Sequence, residues 1–258
     1  MKRGRRSPRR AAPDLERTAN DEQIAFRERL ARLFRDSPLP REELLFNLGL
    51  YARSSLLVKF LVLHELYRRF ARIPGLLVEF GTWWGQNLVL LENLRAIHEP
   101  FNKQRRIVGF DTFSGYRGFG AADRLQRAEG FYGSGSRAKA HLAALLEAHE
   151  GINALGHLRG RHELVAGDVG RTAPAWFRRH PEAVVAFAYF DIGLYRPTRA
   201  ALRAIRPHLV PGSLLLLDEM TWEQTPGEAV AFKEVFGDLR WRMEKCALYP
   251  SKTIVEIA

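Results

Sequence analysis

The stretch Leu76–Gln86, LLVEFGTWWGQ, sets a short apolar run before a turn bracketed by Gly81 and Gly85, and then opens into a helical pattern over Gln86–His98. A buried strand, a glycine turn and a helix in that order form the first half of a β-α-β unit. Outward from it the same alternation continues. Short apolar runs stand at 106–111 (RIVGFD), 163–167 (ELVAG), 184–191 (VVAFAYFD), 213–219 (SLLLLDE) and 252–258 (KTIVEIA). Helical segments lie between them at Ala138–His149, Pro174–Arg179, Thr198–Leu209 and Glu228–Phe236. Strands that are apolar on both faces, separated by helices, predict a mostly parallel sheet with helices on each side. No internal repeat interrupts this order.

The chain departs from that rhythm at both ends. Arg240–Leu248 and Lys252–Ala258 have no helix between them, only Tyr249–Pro250–Ser251, and read as an antiparallel hairpin. A parallel sheet closed by a hairpin fits the S-adenosylmethionine methyltransferase variant of the Rossmann-like doubly wound fold better than it fits a dehydrogenase. Before Pro74–Gly75 the pattern is purely helical, with segments at Asp21–Arg35, Glu42–Tyr51 and Ser55–Phe70. The expected organisation is a basic disordered tail over 1–20, a helical cap over 21–75 and a methyltransferase domain over 76–258.

Composition narrows the class. At 258 residues, 46% hydrophobic and 27% charged, the chain is globular, and its single cysteine, Cys246, excludes a disulfide framework or a cysteine-rich zinc module. The longest apolar candidate for a membrane span, Leu56–Leu66, is broken by Lys59, His64 and Glu65. The basic N-terminus has no apolar segment behind it, so a cytoplasmic protein is expected. The net charge of +11 is concentrated in residues 1–13, where Lys2, Arg3, Arg5, Arg6, Arg9 and Arg10 have neither acids nor aromatics among them. Without a stacking platform this tail argues against nucleic acid as partner. The basic body suits an acidic small-molecule acceptor such as a nucleotide-linked sugar, and homo-oligomerisation is left open.

Ligands of doubly wound sheets bind outside the carboxyl ends of the strands. Here those ends carry Glu79, Asp111, Asp168, Asp191 and the pair Asp218–Glu219. Any one of them is explained as a helix cap, but five acidic strand ends are not. The spacing of Gly81 and Gly85 is not the G-x-G-x-x-G of a nicotinamide site. An adenosylmethionine site must instead hold a cationic amino-acid end, a ribose and an adenine. Asp111 is placed to accept both ribose hydroxyls, and Asp168 to accept from the adenine amino group.

The segments NLGLYARSSLLVKFLVLHELYRRF, LLVEFGTWWGQNLVLLENLRAIHEPFN, IVGFDTFSGY, AYFDIGLYRPT, LVPGSLLLLDE and PGEAVAFKEVFG resemble the macrocin O-methyltransferase-like family, over roughly residues 45–255. These are class I S-adenosylmethionine-dependent enzymes that methylate sugars of antibiotics and surface glycans. The resemblance implies that Glu79, Gly81 and Gly85 line the methionine half of the cofactor, with Asp111 at the ribose and Asp168 at the adenine. It also implies a magnesium ion held by Asp191, Asp218 and Glu219, acids separated by 27 and 28 residues. Three carboxylates at neighbouring strand ends would repel without a cation, and all-oxygen ligation suits magnesium. Glu219 replaces the usual second aspartate of the pair.

The family's D-x-D-x-Y reads Asp191-Ile192-Gly193-Leu194-Tyr195 here, so the expected general base is missing at Gly193. Three outcomes follow: activation of the hydroxyl by the metal alone, a base relocated to Glu219, Glu223 or His64, or lost catalysis. Asp191 and Glu219 are the candidate catalytic residues. A catechol-type methyltransferase and a non-catalytic cofactor-binding protein are the alternatives to a sugar O-methyltransferase. The glycine- and aromatic-rich section 112–137 is expected to be a lid, with Tyr116, Phe119, Phe131 and Tyr132 available to stack on a sugar or aglycone.

Overall fold

The computed structural model describes residues 19–102, 104–120, 122–123, 129–153 and 162–258. The chain divides into two compact units, 1–57 and 58–258. Most of the expected basic tail lies outside the described residues.

In the first unit, α1 (Asp21–Arg35) starts at a capping box in which Asn20 and Gln23 satisfy each other's backbone N–H groups. Asp21 and Glu22 lead the helix and Arg32 and Arg35 close it, complementing its dipole. A short helix, α2 (Arg41–Leu44), and a 3-10 turn (Leu48–Tyr51) follow. Tyr51 packs edge-on against Phe34 and donates to Ser37 Oγ at 2.8 Å.

The second unit takes in most of α3 (Ser54–Phe70), so compactness divides the chain earlier than the change of pattern at Pro74–Gly75. The reason is the apolar stripe Val62, Leu63, Leu66, Tyr67 and Phe70, which is buried in the same core as the sheet. From there the elements run β1 (Leu76–Phe80), α4 (Gln86–His98), β2 (Ile107–Asp111), α5 (Ser136–Asn153), β3 (Glu163–Ala166) and α6 (Val169–Arg179). They continue through β4 (Val185–Phe190), α7 (Tyr195–Ile205), β5 (Leu209–Leu217), α8 (Gly227–Phe236), β6 (Trp241–Lys245) and β7 (Thr253–Ile257).

The strands form a sheet of order β3-β2-β1-β4-β5-β7-β6. The first five are parallel, and β7 pairs antiparallel with both β5 and β6, as the terminal hairpin required. Register places Val108, Val78, Ala188, Leu215 and Val255 in one row across the sheet. Alternation along each strand then separates two cores. Val78, Phe80, Phe190 and Leu217 face Trp176, Leu202 and Phe232 of α6, α7 and α8. Leu77, Phe187 and Leu216 face Tyr67, Leu88 and Leu142 of α3, α4 and α5. Each fully buried Leu or Phe contributes about 1.5–3 kcal/mol, so the strand middles carry stability and the strand ends are left for charge. The order reverses between β1 and β4, which puts the ligand crevice at the ends of those two strands.

One polar cluster lies inside the fold. Glu92 of α4 is fully buried and bonded to Arg95 at 2.9 Å and to His162 Nε2 at 2.6 Å. His162 Nδ1 accepts the Ile107 N–H, which fixes the ring with its proton toward Glu92.

Candidate active site

The β1–α4 turn and the end of β2 meet through one carboxylate. Asp111 accepts the Trp83 N–H at 2.7 Å and the Phe113 N–H at 2.5 Å, joining the loops that follow both strands. Burial raises its pKa against the pull of these hydrogen bonds. Glu79 is buried beside it, paired in register with Gly109 and Tyr189. Its Oε1 accepts from Asn87 Nδ2 at 2.7 Å, while Oε2 is buried with no hydrogen-bond partner among the described residues. Burial pushes this carboxyl well above the usual range. A buried acceptor without a donor, at the switch point of the sheet, fits a cationic ligand group that would restore its charge.

Gly81 and Gly85 also meet a packing demand of the fold. At Gly81 (φ +92°) a Cβ would stand 2.1 Å from the Asp191 carbonyl oxygen, so the glycine lets the ends of β1 and β4 close on each other. At Gly85 the same atom would strike Leu142 of α5. Asp168 is the N-cap of α6, exposed, its Oδ1 accepting the Gly170 N–H at 2.9 Å, and it follows Gly167, whose N–H donates to the Asp111 carbonyl at 2.9 Å.

At the ends of β4 and β5 the acids are arranged around a lysine that the sequence reading passed over. Lys252, at the start of β7, is buried; its ammonium donates to the Tyr189 hydroxyl at 2.5 Å and contacts Asp218 Oδ1. Tyr189 lies 3.1 Å from Asp218 Oδ1 and 3.4 Å from Asp191 Oδ2. Burial lowers the Lys252 pKa to about 8 and drives that of Tyr189 well up. Asp191 itself is exposed. Glu219 reaches toward Gly193: its N–H donates to Glu228 Oε2 at 2.6 Å, and its Oε2 lies 2.7 Å from where a Gly193 Cβ would be. The Tyr116 hydroxyl lies 3.3 Å from the same point.

The magnesium expectation meets this arrangement directly. Among the described residues no three His, Cys, Asp or Glu side chains gather as a metal-holding group. Asp218 is engaged by Lys252, and Glu219 reaches toward Gly193, so the three acids do not fit a shared ion as they stand. The Lys252 ammonium offsets part of the repulsion inferred from sequence, at Asp218. Register carried the signal: Leu217 pairs with Thr253, which sets Lys252 beside Asp218. Tyr189 was legible too, two residues before Asp191 and therefore on the same face of β4.

The described part of 112–137 folds back on itself. Tyr116 is bound to the Gly130–Phe131 backbone: its N–H donates to Phe131 O, and its carbonyl accepts the Gly130 N–H, each at 2.9 Å. Tyr132 stands edge-on to Tyr116, Phe131 and Trp83. Asp123 accepts the Tyr195 N–H at 2.7 Å, tethering this section to the first turn of α7.

A methyltransferase-domain family model matches residues 78–220. The structure aligns with the crystal structure of the calicheamicin methyltransferase CalS11 at 35% identity and a TM-score of 0.86, over 97% of this chain and 99% of that one. The apo form of the same enzyme, described as a TDP-rhamnose 3'-O-methyltransferase, matches at 35% identity and TM-score 0.79 over 92% and 95%. A curated relative from Streptomyces olivaceus, the 8-demethyl-8-(2,3-dimethoxy-alpha-L-rhamnosyl)-tetracenomycin-C 4'-O-methyltransferase, is 28% identical over 159 residues, 57% of this chain. That match spans about half, 53%, of the relative's length. The fold and these likenesses are those of an S-adenosylmethionine-dependent O-methyltransferase. More particularly, the chain belongs to the methyltransferase-domain family, on the side of it that includes sugar O-methyltransferases.

Proposed function

We propose that the protein methylates a hydroxyl of a deoxyhexose, carried on a nucleotide or on a glycosylated natural product. The observation that carries this is the Glu219 carboxylate standing in the space that Gly193 leaves open, beside the end of β4 where Asp191 is exposed. A site without an acid at 193 thereby keeps two carboxylates able to receive a hydroxyl proton. The similarity to enzymes named for rhamnose and rhamnosyl substrates supports a 6-deoxy sugar.

S-adenosylmethionine supplies a methyl group on a sulfonium centre. In this reading the orphaned Glu79 Oε2 accepts from its cationic amino group, with the Gly81–Gly85 turn beside it. Asp111, already anchoring two loops, accepts from the ribose hydroxyls with its remaining lone pairs, and Asp168 accepts from the adenine amino group. Asp191 takes the acceptor proton as the new O–C bond forms and the S–C bond breaks, its electron pair remaining on sulfur; Glu219 polarises the same hydroxyl. Trp83, Tyr116, Phe131 and Tyr132 offer rings to the apolar face of the sugar.

The test is turnover of isotopically labelled cofactor by the purified full chain with a nucleotide-linked rhamnose, with a rhamnosylated aglycone and with a catechol. Label on a sugar oxygen is expected from one of the first two. Methylation of the catechol alone would sink the assignment.

A further inference from the structure

We propose that Lys252 is the resident cation of the acceptor site, anchoring Asp218 and Tyr189 so that methyl transfer proceeds without a divalent metal. The inference rests on the O-methyltransferase reading for its chemistry, but its geometry stands independently. A cation is needed where Asp191 and Asp218 converge at the ends of adjacent strands, and the fold provides one. The ammonium is buried, contacts Asp218 Oδ1, donates to the Tyr189 hydroxyl and lies 5.0 Å and 4.8 Å from the ring centres of Tyr189 and Tyr249. The Tyr249 ring, the Tyr189 hydroxyl and one carboxylate form a box suited to a single positive charge.

The placement is a product of the fold. β7 runs antiparallel to β5, so the first residue of its run meets the last of β5. Lys252 is thereby aimed along the sheet toward the crevice, with its backbone N–H fixed by the Tyr249 carbonyl at 2.9 Å. Asp218 is the acid committed to this pair. Asp191, in the longer contact with Tyr189, is exposed to solvent. Lys252 is a positioning residue: it holds Asp218 and Tyr189 in place and balances charge next to the group that receives the proton.

The experiment uses the full chain with manganese as the metal probe. Wild-type protein is titrated with Mn2+ and followed by electron paramagnetic resonance, and its turnover is measured with magnesium and with chelator. Expected are no stoichiometric Mn2+ binding and equal turnover in both conditions. Lys252→Met is expected to keep cofactor affinity by calorimetry, to lose at least tenfold in kcat, and to gain an Mn2+ signal that Asp218→Asn removes. Lys252→Arg, which keeps the charge, is expected to retain more turnover than Lys252→Met. Stoichiometric Mn2+ binding by the wild type, or loss of its turnover in chelator, would overturn the proposal. Because Mn2+ binding is read without acceptor, failure to find a sugar substrate touches only the functional reading. If Lys252→Met does not fold, the wild-type measurements decide alone.

Discussion

Glu219 and Gly193 share one space: the glutamate's Oε2 lies 2.7 Å from the point where a side chain at 193 would begin. Gly193 has φ +69°, in the left-handed region, so a side chain there is strained by the backbone and would also displace the Glu219 carboxylate. Restoring an acid with Gly193→Asp is therefore expected to lower turnover, with a stability loss of about 1–3 kcal/mol. Urea denaturation of Gly193→Ala beside Gly193→Asp separates the strain from the added charge. Higher turnover in Gly193→Asp would show that Glu219 does not serve in its place.

If Asp191 receives the proton, Asp191→Asn loses about 10²–10⁴-fold in kcat with cofactor affinity unchanged. Glu219→Gln is expected to lose less, because its carboxylate polarises rather than accepts. The comparison is steady-state kinetics paired with calorimetry on both variants. Equal losses would mean the two acids act as one unit.

Asp111→Ala removes the acceptor for the Trp83 and Phe113 N–H groups and for the ribose together. Cofactor binding is expected to weaken at least tenfold, about 1.4 kcal/mol. Asp111→Asn keeps one acceptor oxygen and should fall between wild type and alanine. A calorimetric series on the three proteins reads the order.

Glu92 gives the fold a specific acid sensitivity. Burial opposes its ionisation, but hydrogen bonds from His162 and Arg95 hold its pKa at about 2. Its folded pKa lies below the ordinary 4.5, so its contribution is complete above that value and is lost as pH falls toward 2. Stability should fall over that window by up to about 1.4 kcal/mol per pH unit from this group. Urea midpoints taken across the window, with Glu92→Gln as the control lacking this slope, check the sign.

Much of this architecture was legible before any coordinates. The six apolar runs from LLVEF to KTIVEIA became strands; burial on both faces accounts for LLVEF and VVAFAYFD, while ELVAG, half-buried, is held as a strand by its pairing with β2. The acidic strand ends were legible because the chain marks each with a single letter. What was hidden is what depends on who sits beside whom. Lys252 is an ordinary residue until β7 is placed against β5, and Glu228 until its carboxylate is found on the Glu219 N–H. The cap formed by Asp168 follows a purely local rule, and that rule competes with the ligand role on the same oxygen atoms.

The position of β7 has a consequence for damaged chains. The seventh strand in sequence is an inner strand in space, lying between β5 and β6. A nonsense mutation or proteolytic cut just before Thr253 therefore deletes two strands, since β6 loses the neighbour it pairs with. It also uncovers the Leu214–Leu217 edge, four consecutive leucines with open backbone groups, which is the kind of edge that recruits other chains.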